Sequence, residues 1–320
     1  MPRLRDHGIG IGRFEPGPLN AITDVPRVSI GHVTLIEGDR TRTGATAIIP
    51  HPGNIYRAPV PAGFAVLNGY GKFAGSTQVE ELGELETPIL LTNTLAVGRA
   101  MEALVRYTVS QPGNETVTTV NAVVGETNDS RLNDIRAPRP TVEEMGAALA
   151  SAEPGAVVEG AVGAGTGTVA FGLKGGVGTA SRLVPGYALG VLVQANFGGT
   201  LRIDGKVWAE SPTADVDGSI VIIIATDAPL CARNLRRLSV RAFGGLARSG
   251  AALSNGSGDY ALAFSVGEGD VLANQECSPL FEAVIECTEE AIVNALLAAG
   301  DMKGFDAGTG AASYFRGLTL

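Results

Sequence analysis

Histidine is scarce in this chain of 320 residues, and its scarcity restricts the available chemistry. The only histidines are His7, His32 and His51, all in the first sixth of the sequence and without a second ligand at metal-binding spacing. We therefore predict no metal site. A Ser-His-Asp triad would have to take its base from this N-terminal segment. A serine hydrolase built on this sequence would need a base other than histidine.

Cysteine and long apolar runs are also few. The three cysteines (Cys231, Cys277 and Cys287) form an odd count without paired spacing, which indicates a reducing compartment. No apolar run approaches membrane-spanning length, and the first residues lack the apolar core of a signal peptide. These absences predict a cytoplasmic protein that does not contact a membrane.

The overall charge and the glycine-rich segments argue against nucleic-acid and nucleotide partners. A net charge of −9 disfavours binding to nucleic acid or to anionic membrane surfaces. Residues 163–168 and 174–178 are rich in glycine but lack both G-x-x-x-x-G-K-[ST] and G-x-G-x-x-G. We read them as backbone packed closely around another group, and we predict no cofactor.

Strand-like and helix-like patterns alternate along the chain without a domain linker. Short apolar runs predict strands, and capped periodic segments predict helices. This mixture predicts one α/β domain over residues 1–320. The predicted strands include 46–50, 63–68, 88–91, 117–124 and 188–193, and the predicted helices include one with Val97, Met101, Leu104 and Val105 on its apolar face, one at 142–152, one capped by Asp227 and running to about Ala247, and one opened by Ser278.

One stretch combines a polar turn with the most β-branched run of the chain. Asp215–Ser219 leads directly into Ile220–Ile224, and five consecutive β-branched residues predict a strand buried on both faces. Ser219 is therefore expected at the rim of a core strand. Gly218 before it can adopt backbone angles that are closed to other residues. On local sequence alone, such a Gly-Ser pair is usually only a turn.

Several separated motifs together identify a relationship. In chain order they lie at 20–26, 42–48, 85–94, 172–182, 193–196, 218–219, 225–229 and 255–259. Their combination closely resembles the family of L-aminopeptidase/D-esterase and β-peptidyl aminopeptidase, from about residue 20 to the last strand. The resemblance implies a four-layer αββα sandwich like that of N-terminal-nucleophile hydrolases, with its own strand connectivity.

The resemblance also implies self-cleavage between Gly218 and Ser219. The products would be a larger fragment, 1–218, and a smaller fragment, 219–320, that begins with the nucleophile Ser219. The freed α-amino group has a typical pKa of about 7.7–8.0, which suits a base near neutral pH. Such a base would explain how a hydrolase functions with so little histidine. By the same resemblance, a homo-oligomer is expected, and the resemblance implies that it is a tetramer.

Further site residues follow from position in the family motifs. Ser257 and Asp259 match a Ser-x-acidic pair that orients the nucleophile, although some members carry Glu at the second position. Asn196 matches an asparagine of the oxyanion hole. Substrate-binding positions are implied for the remaining candidates: Glu126, which matches a glutamate that binds the free amine of the substrate, and Tyr70 and Gly69 in the pocket wall.

The expected function is hydrolysis of the N-terminal residue from short peptides, amino-acid amides or esters. Two alternatives stay open from the sequence. Ornithine acetyltransferases share a related self-cleaving fold, although they usually carry threonine as nucleophile, and a non-catalytic relative would keep the fold alone. The preferred residue, its L or D handedness and its α or β backbone are not determined by these motifs.

Overall fold

Two stacked β-sheets with helices on both outer sides form the body of the protein, as the four-layer αββα prediction requires. The computed structural model describes residues 2–212 and 217–320, so that Asp215 and Val216 of the predicted turn lie outside the described residues. The helices of the described part are α1 Ser76–Leu82, α2 Val97–Val109, α3 Val142–Ala150, α4 Ala232–Ser249 and α5 Ser278–Leu297.

The strands of the described part are β1 Ser29–Glu37, β2 Thr41–Ile49, β3 Val60–Gly69, β4 Phe73–Ala74, β5 Glu84–Leu85, β6 Ile89–Asn93, β7 Val123–Thr127, β8 Val169–Ala170, β9 Leu173–Lys174, β10 Gly176–Val184, β11 Tyr187–Asn196, β12 Thr200–Ile203, β13 Lys206–Glu210, β14 Ser219–Thr226, β15 Gly258–Ser265, β16 Met302–Asp306 and β17 Ala311–Phe315. One sheet has the order β1-β2-β6-β7-β4, with β6 and β7 parallel. The other has the order β10-β11-β14-β15-β3-β5, with β14 and β15 parallel.

The central strand β14 is buried on both faces, which confirms the prediction from its β-branched run. Val221 and Ile223 pack between the two sheets, whereas Ile220, Ile222 and Ile224 pack against α4 and α5. All five side chains are inaccessible to solvent. Since side chains alternate along a strand, Ser219 shares the inter-sheet face with Val221. Burial of the strand thus fixes the direction in which its first side chain points.

On the outer side of the first sheet, α2 and α3 pack through small side chains. Ala100 and Leu104 of α2 face Leu90, together with Met145 of α3. Met101 and Val105, predicted on the buried face, are instead 39% and 38% exposed. The buried stripe of α2 is mainly alanine because small residues allow this helix to approach the sheet closely.

Two further element predictions were wrong. The strand predicted at 117–124 begins only at Val123 and ends at Thr127. The residues before it are held by turn and side-chain bonds instead, such as the bond from the Asn121 N–H to the Glu86 carboxylate. Helix α4 begins at Ala232, and Asp227 does not cap it. The Asp227 carboxylate accepts a bond from the Ala188 N–H at 2.8 Å instead.

Helix α5 carries a buried ionic network on its polar face. Arg182 donates to Glu286 at 3.0 Å and to Glu290 at 2.6 Å, and these three side chains are at most 2% exposed. Arg5 of the N-terminal segment also binds Glu290, at 2.9 Å. Although burial opposes ionisation, the guanidinium of Arg182 holds the pKa of Glu290 below its ordinary value. The network ties the N-terminal segment and β10 to α5.

Replacement of the buried arginine is expected to be costly. Arg182→Met leaves two buried carboxylates without their main counter-charge and should lower the free energy of unfolding by about 3–5 kcal/mol. Arg13→Met is the matched control, because Arg13 pairs with Glu282 on the same helix but is 69% exposed. It should cost under about 1 kcal/mol. Urea unfolding at pH 7 measures both, and similar losses for the two variants would contradict the account.

No helix among residues 2–212 and 217–320 is both long and apolar enough to cross a membrane.

Candidate active site

Strand pairing places two predicted residues, Ser219 and Asn196, on one rung of the second sheet. In β14, Ser219 pairs with Asn196 at the end of β11 and with Gly258 at the start of β15. Directly paired residues on one face of a sheet hold their Cβ atoms about 4.5–5.5 Å apart in antiparallel pairs. The serine and the asparagine are therefore neighbours by register, although 23 positions separate them in the sequence.

The hydroxyl of Ser219 lies against the carbonyl of the residue before it. Ser219 Oγ donates to Gly218 O at 2.7 Å. The N–H of Gly258 donates to Gly218 O at 3.0 Å and approaches Ser219 Oγ at 3.3 Å. One backbone donor therefore reaches both the carbonyl oxygen and the hydroxyl, so that it can stabilise negative charge developing on either.

Gly218 is a glycine because the chain passes too close for a side chain. A Cβ at this position would lie 2.2 Å from Asn196 O and 2.6 Å from Phe197 Cα. Its φ lies outside the left-handed region, so the expectation of special backbone angles at Gly218 is wrong. Close approach of two main chains, and not torsional freedom, accounts for the residue.

Ser257 and Asp259 flank the same backbone donor and bind each other. Ser257 Oγ donates to Asp259 Oδ1 at 2.6 Å, and both residues are at most 3% exposed. The second oxygen of Asp259 has no hydrogen-bond partner among the described residues. Burial raises the pKa of Asp259, an effect that the Ser257 bond partly opposes. The pair is linked to Ser219 through Gly258, which lies between them in sequence.

The side chain of Asn196 is held in one orientation. Its Oδ1 accepts from the Val169 N–H at 3.0 Å, and the residue lines a cleft of about 710 Å³ together with Gly218 and Ser219. With the carbonyl end of the amide engaged, the NH₂ end remains to donate to a group in the cleft. That geometry fits the oxyanion-binding role predicted for Asn196.

Glu126 lies on the floor of the same cleft and is 2% exposed. Its Oε1 accepts from the Lys72 N–H at 2.9 Å, and Thr94 Oγ1 donates to its Oε2. Glu126 was expected in a loop but belongs to β7, which explains why the carboxylate is so firmly placed. A buried carboxylate facing a cleft is suited to bind an ammonium group.

Tyr260 was not predicted, yet its phenol borders the Glu126 carboxylate. A methyl group on Gly71 would lie 3.0 Å from Tyr260 Oη and 3.1 Å from Glu126 Oε1. Burial, followed by the charges of Glu126 and Asp259, raises the pKa of Tyr260 to about 12. The phenol thus stays protonated at neutral pH beside the Glu126 carboxylate.

The remaining predicted pocket residues, Gly69 and Tyr70, also line the cleft, and Tyr70 is 68% exposed. Lys72, Thr94, Gly258 and Tyr260 were missed by the sequence reasoning. Thr94 belongs to a family motif noted above, so that it could have been proposed. The Gly258 N–H and the Lys72 N–H are backbone donors, for which a sequence offers no signal.

Comparison with known proteins identifies the family of the chain. The model of peptidase family S58 matches residues 20–309. The chain belongs to peptidase family S58. A β-peptidyl aminopeptidase, BapA, from Sphingosinicella microcystinivorans is 38% identical, with 95% of this chain and 87% of that protein aligned.

Two solved structures extend the relationship to the fold. A β-aminopeptidase from Burkholderia sp. is 41% identical, with a TM-score of 0.91 over 99% of this chain and 96% of that one. The L-aminopeptidase D-Ala-esterase/amidase of Ochrobactrum anthropi is 34% identical, with a TM-score of 0.89 over 100% and 96%. The latter is described as a prototype serine aminopeptidase and a variant of the N-terminal-nucleophile hydrolase fold. The predicted family, fold class and enzyme class, a serine aminopeptidase, are confirmed.

The unpartnered oxygen of Asp259 generates a stability prediction. The pKa of Asp259 is higher in the folded state than in the unfolded state, so this carboxyl ionises first in the unfolded chain as pH rises. The free energy of unfolding therefore falls between the ordinary pKa of aspartate and the raised pKa of Asp259. Asp259→Asn abolishes this loss and should raise the free energy of unfolding at pH 7 by about 0.5–2 kcal/mol, while activity falls.

Chemical denaturation at pH 4 and pH 7 tests this. The gain of Asp259→Asn over wild type should be larger at pH 7 than at pH 4. Asp270→Asn, in an exposed loop, is the control and should show no such difference. A gain that does not change with pH would contradict the assignment of the effect to the Asp259 charge.

Proposed function

We propose that the chain is a self-processing aminopeptidase with Ser219 as its nucleophile, and that the cut divides one domain, 1–320, into fragments 1–218 and 219–320. The observation that carries this proposal is the contact of Ser219 Oγ with Gly218 O, with the Gly258 N–H beside both. The Ser219 hydroxyl therefore already lies in contact with the carbonyl group that it would attack.

Self-cleavage begins when Ser219 Oγ adds to the carbonyl carbon of Gly218. The hydroxyl proton passes to the peptide nitrogen, the bond from carbon to that nitrogen breaks, and an ester joins Gly218 to Oγ. Water then hydrolyses the ester, which leaves a carboxylate on Gly218 and both the hydroxyl and a new α-amino group on Ser219. The Gly258 N–H stabilises the oxyanion formed in each addition.

In substrate hydrolysis the new α-amino group takes the proton of Ser219 Oγ as the hydroxyl attacks the scissile carbonyl. The Asn196 NH₂ group and the Gly258 N–H bind the oxyanion. The leaving amine or alcohol departs with the proton, and water hydrolyses the acyl-enzyme. Ser257 and Asp259 hold the strand that presents Gly258.

The substrate carries a free amino group, which binds Glu126, with Tyr70 and Gly69 at the pocket wall. Short peptides, amino-acid amides and esters meet this requirement. The named relatives include a β-peptidyl aminopeptidase and an L-aminopeptidase D-Ala-esterase/amidase, so that both β-amino and α-amino substrates belong in a screen. These relatives favour hydrolysis over acyl transfer of the ornithine acetyltransferase type.

We also propose the cytoplasm as its location and a homo-oligomer, a tetramer by resemblance, as its assembly. All three cysteines are free thiols, two of them buried, which fits a reducing compartment. Light scattering of the purified protein measures the oligomer number.

Replacement of the nucleophile tests self-processing. Ser219→Ala should remain a single chain of 32.7 kDa on a denaturing gel, and its aminopeptidase activity should fall by at least about 10⁴-fold. Wild type should give two fragments. Ser211→Ala, which removes a hydroxyl from the segment before the cut, should be cleaved like wild type. An active wild-type chain that is never cleaved would contradict the proposal.

Removal of the charge of Glu126 tests the amine site. Glu126→Gln keeps the shape of the side chain, and the Thr94 hydroxyl can turn to accept from the new NH₂ group. The Michaelis constant for an aminoacyl p-nitroanilide should rise roughly 10–100-fold, as expected for loss of a charge-assisted bond, with a smaller change in kcat. Glu80→Gln, on the exposed side of α1, is the control. An unchanged Michaelis constant would exclude Glu126 as the amine ligand.

A further inference from the structure

A buried lysine lies directly behind the proposed oxyanion site. Lys174 is inaccessible to solvent, and its Nζ donates to three main-chain carbonyls, those of Gly165 at 2.9 Å, Thr168 at 2.9 Å and Gly175 at 2.7 Å. These are the glycine-rich segments that were expected to pack around another group. That group is the side chain of Lys174.

The surroundings of Lys174 act on its charge in opposite directions. Burial lowers the pKa of Lys174 to about 7, and the Asp129 carboxylate opposes this shift. Three carbonyl oxygens surround Nζ, and a neutral amine has only two hydrogens to offer them. A protonated amine satisfies all three acceptors at once, so these hydrogen bonds favour the ammonium form and oppose the effect of burial.

One peptide unit connects this ammonium to Asn196. The carbonyl of Thr168 and the N–H of Val169 belong to the same peptide unit. Lys174 Nζ binds the oxygen of that unit, and its N–H donates to Asn196 Oδ1 at 3.0 Å. A cation on the carbonyl oxygen polarises the peptide and strengthens its N–H as a donor, because hydrogen bonds in a chain reinforce one another. The unit is therefore both positioned and polarised by Lys174.

The consequence is a fixed orientation of the Asn196 amide. If Oδ1 is held by Val169, the NH₂ group is directed away from it, toward the cleft that Asn196 lines. A flipped amide would place two N–H donors against each other and would offer a carbonyl oxygen to a developing oxyanion. Preorganisation of donors is what makes an oxyanion hole effective.

We propose that Lys174 is a positioning residue for the oxyanion-binding amide of Asn196, acting through the Thr168–Val169 peptide unit. This inference rests on the proposed aminopeptidase function and extends it by one residue that does not touch substrate. It predicts an effect on transition-state stabilisation, and little effect on substrate binding.

A double-mutant cycle between Lys174 and Asn196 tests this. Removal of one oxyanion donor typically costs about 10²–10³ in kcat, so Asn196→Ala should fall in that range. Lys174→Met should lower kcat roughly 10–100-fold on an aminoacyl p-nitroanilide, with the Michaelis constant within about twofold of wild type. In the Asn196→Ala background, the same lysine substitution should change kcat by less than about threefold, because the group it positions is absent.

Rates are expressed per cleaved chain, so that slower self-cleavage does not distort the comparison. Thr166→Val is the matched control, because it removes a buried hydroxyl bond to Gly163 O in the same loop without touching the Thr168–Val169 unit. It should lower thermal stability but leave kcat within about twofold of wild type. If Lys174→Met does not fold, Lys174→Gln, which keeps two N–H donors without the charge, takes its place.

Equal losses of kcat in both backgrounds, or a wild-type kcat in Lys174→Met, would overturn the inference. A loss confined to the Michaelis constant would also overturn it. Failure of the proposed function is distinct from these results, since it would appear as a wild-type chain without aminopeptidase activity.

Discussion

The site depends on the pairing of β14 between β11 and β15. The antiparallel pair sets Ser219 opposite Asn196, and the parallel pair sets it beside Gly258. A register shift by one residue would turn the Ser219 side chain toward α4 and α5, and its hydroxyl would then point away from the cleft. The shift is opposed by Ile220–Ile224, which fill both faces of the strand. Hydrophobic burial thus determines the position of the Ser219 hydroxyl.

Much of this could be predicted from the sequence where the chemistry is local. The β-branched run after Ser219 predicts the buried strand, and the family motifs predict the fold and bring Asn196, Glu126 and Ser257 into consideration. Prediction failed where long-range contacts decide. Asp227 has the residue type of a helix cap, but its carboxylate accepts a hydrogen bond from the Ala188 N–H instead. Residues 117–121 have the composition of a strand, but a turn and a hydrogen bond to Glu86 hold them outside the sheet.

The roles of glycine and of buried charge are those that the sequence conceals most. Position 218 requires glycine because a Cβ there would lie 2.2 Å from the main-chain oxygen of Asn196. Only the tertiary structure reveals this close approach. Lys174 appears in the sequence as part of a glycine-rich loop, whereas the structure surrounds its ammonium with carbonyl oxygens. Backbone donors such as the Gly258 N–H have no residue type that identifies them. Gly258 adjoins Ser257 and Asp259 in the chain, whereas Lys174 reaches Asn196 only through the Thr168–Val169 peptide unit.

The central claim is that Ser219 becomes both the first residue of a fragment and the nucleophile. Mass-spectrometric mapping after treatment with a serine-directed acylating agent tests it most directly. The account predicts a peptide that starts with a free α-amino group at Ser219 and carries the acyl adduct on that residue. A continuous peptide through Gly218 and Ser219 without an adduct, obtained from protein that hydrolyses aminoacyl p-nitroanilides, would contradict it.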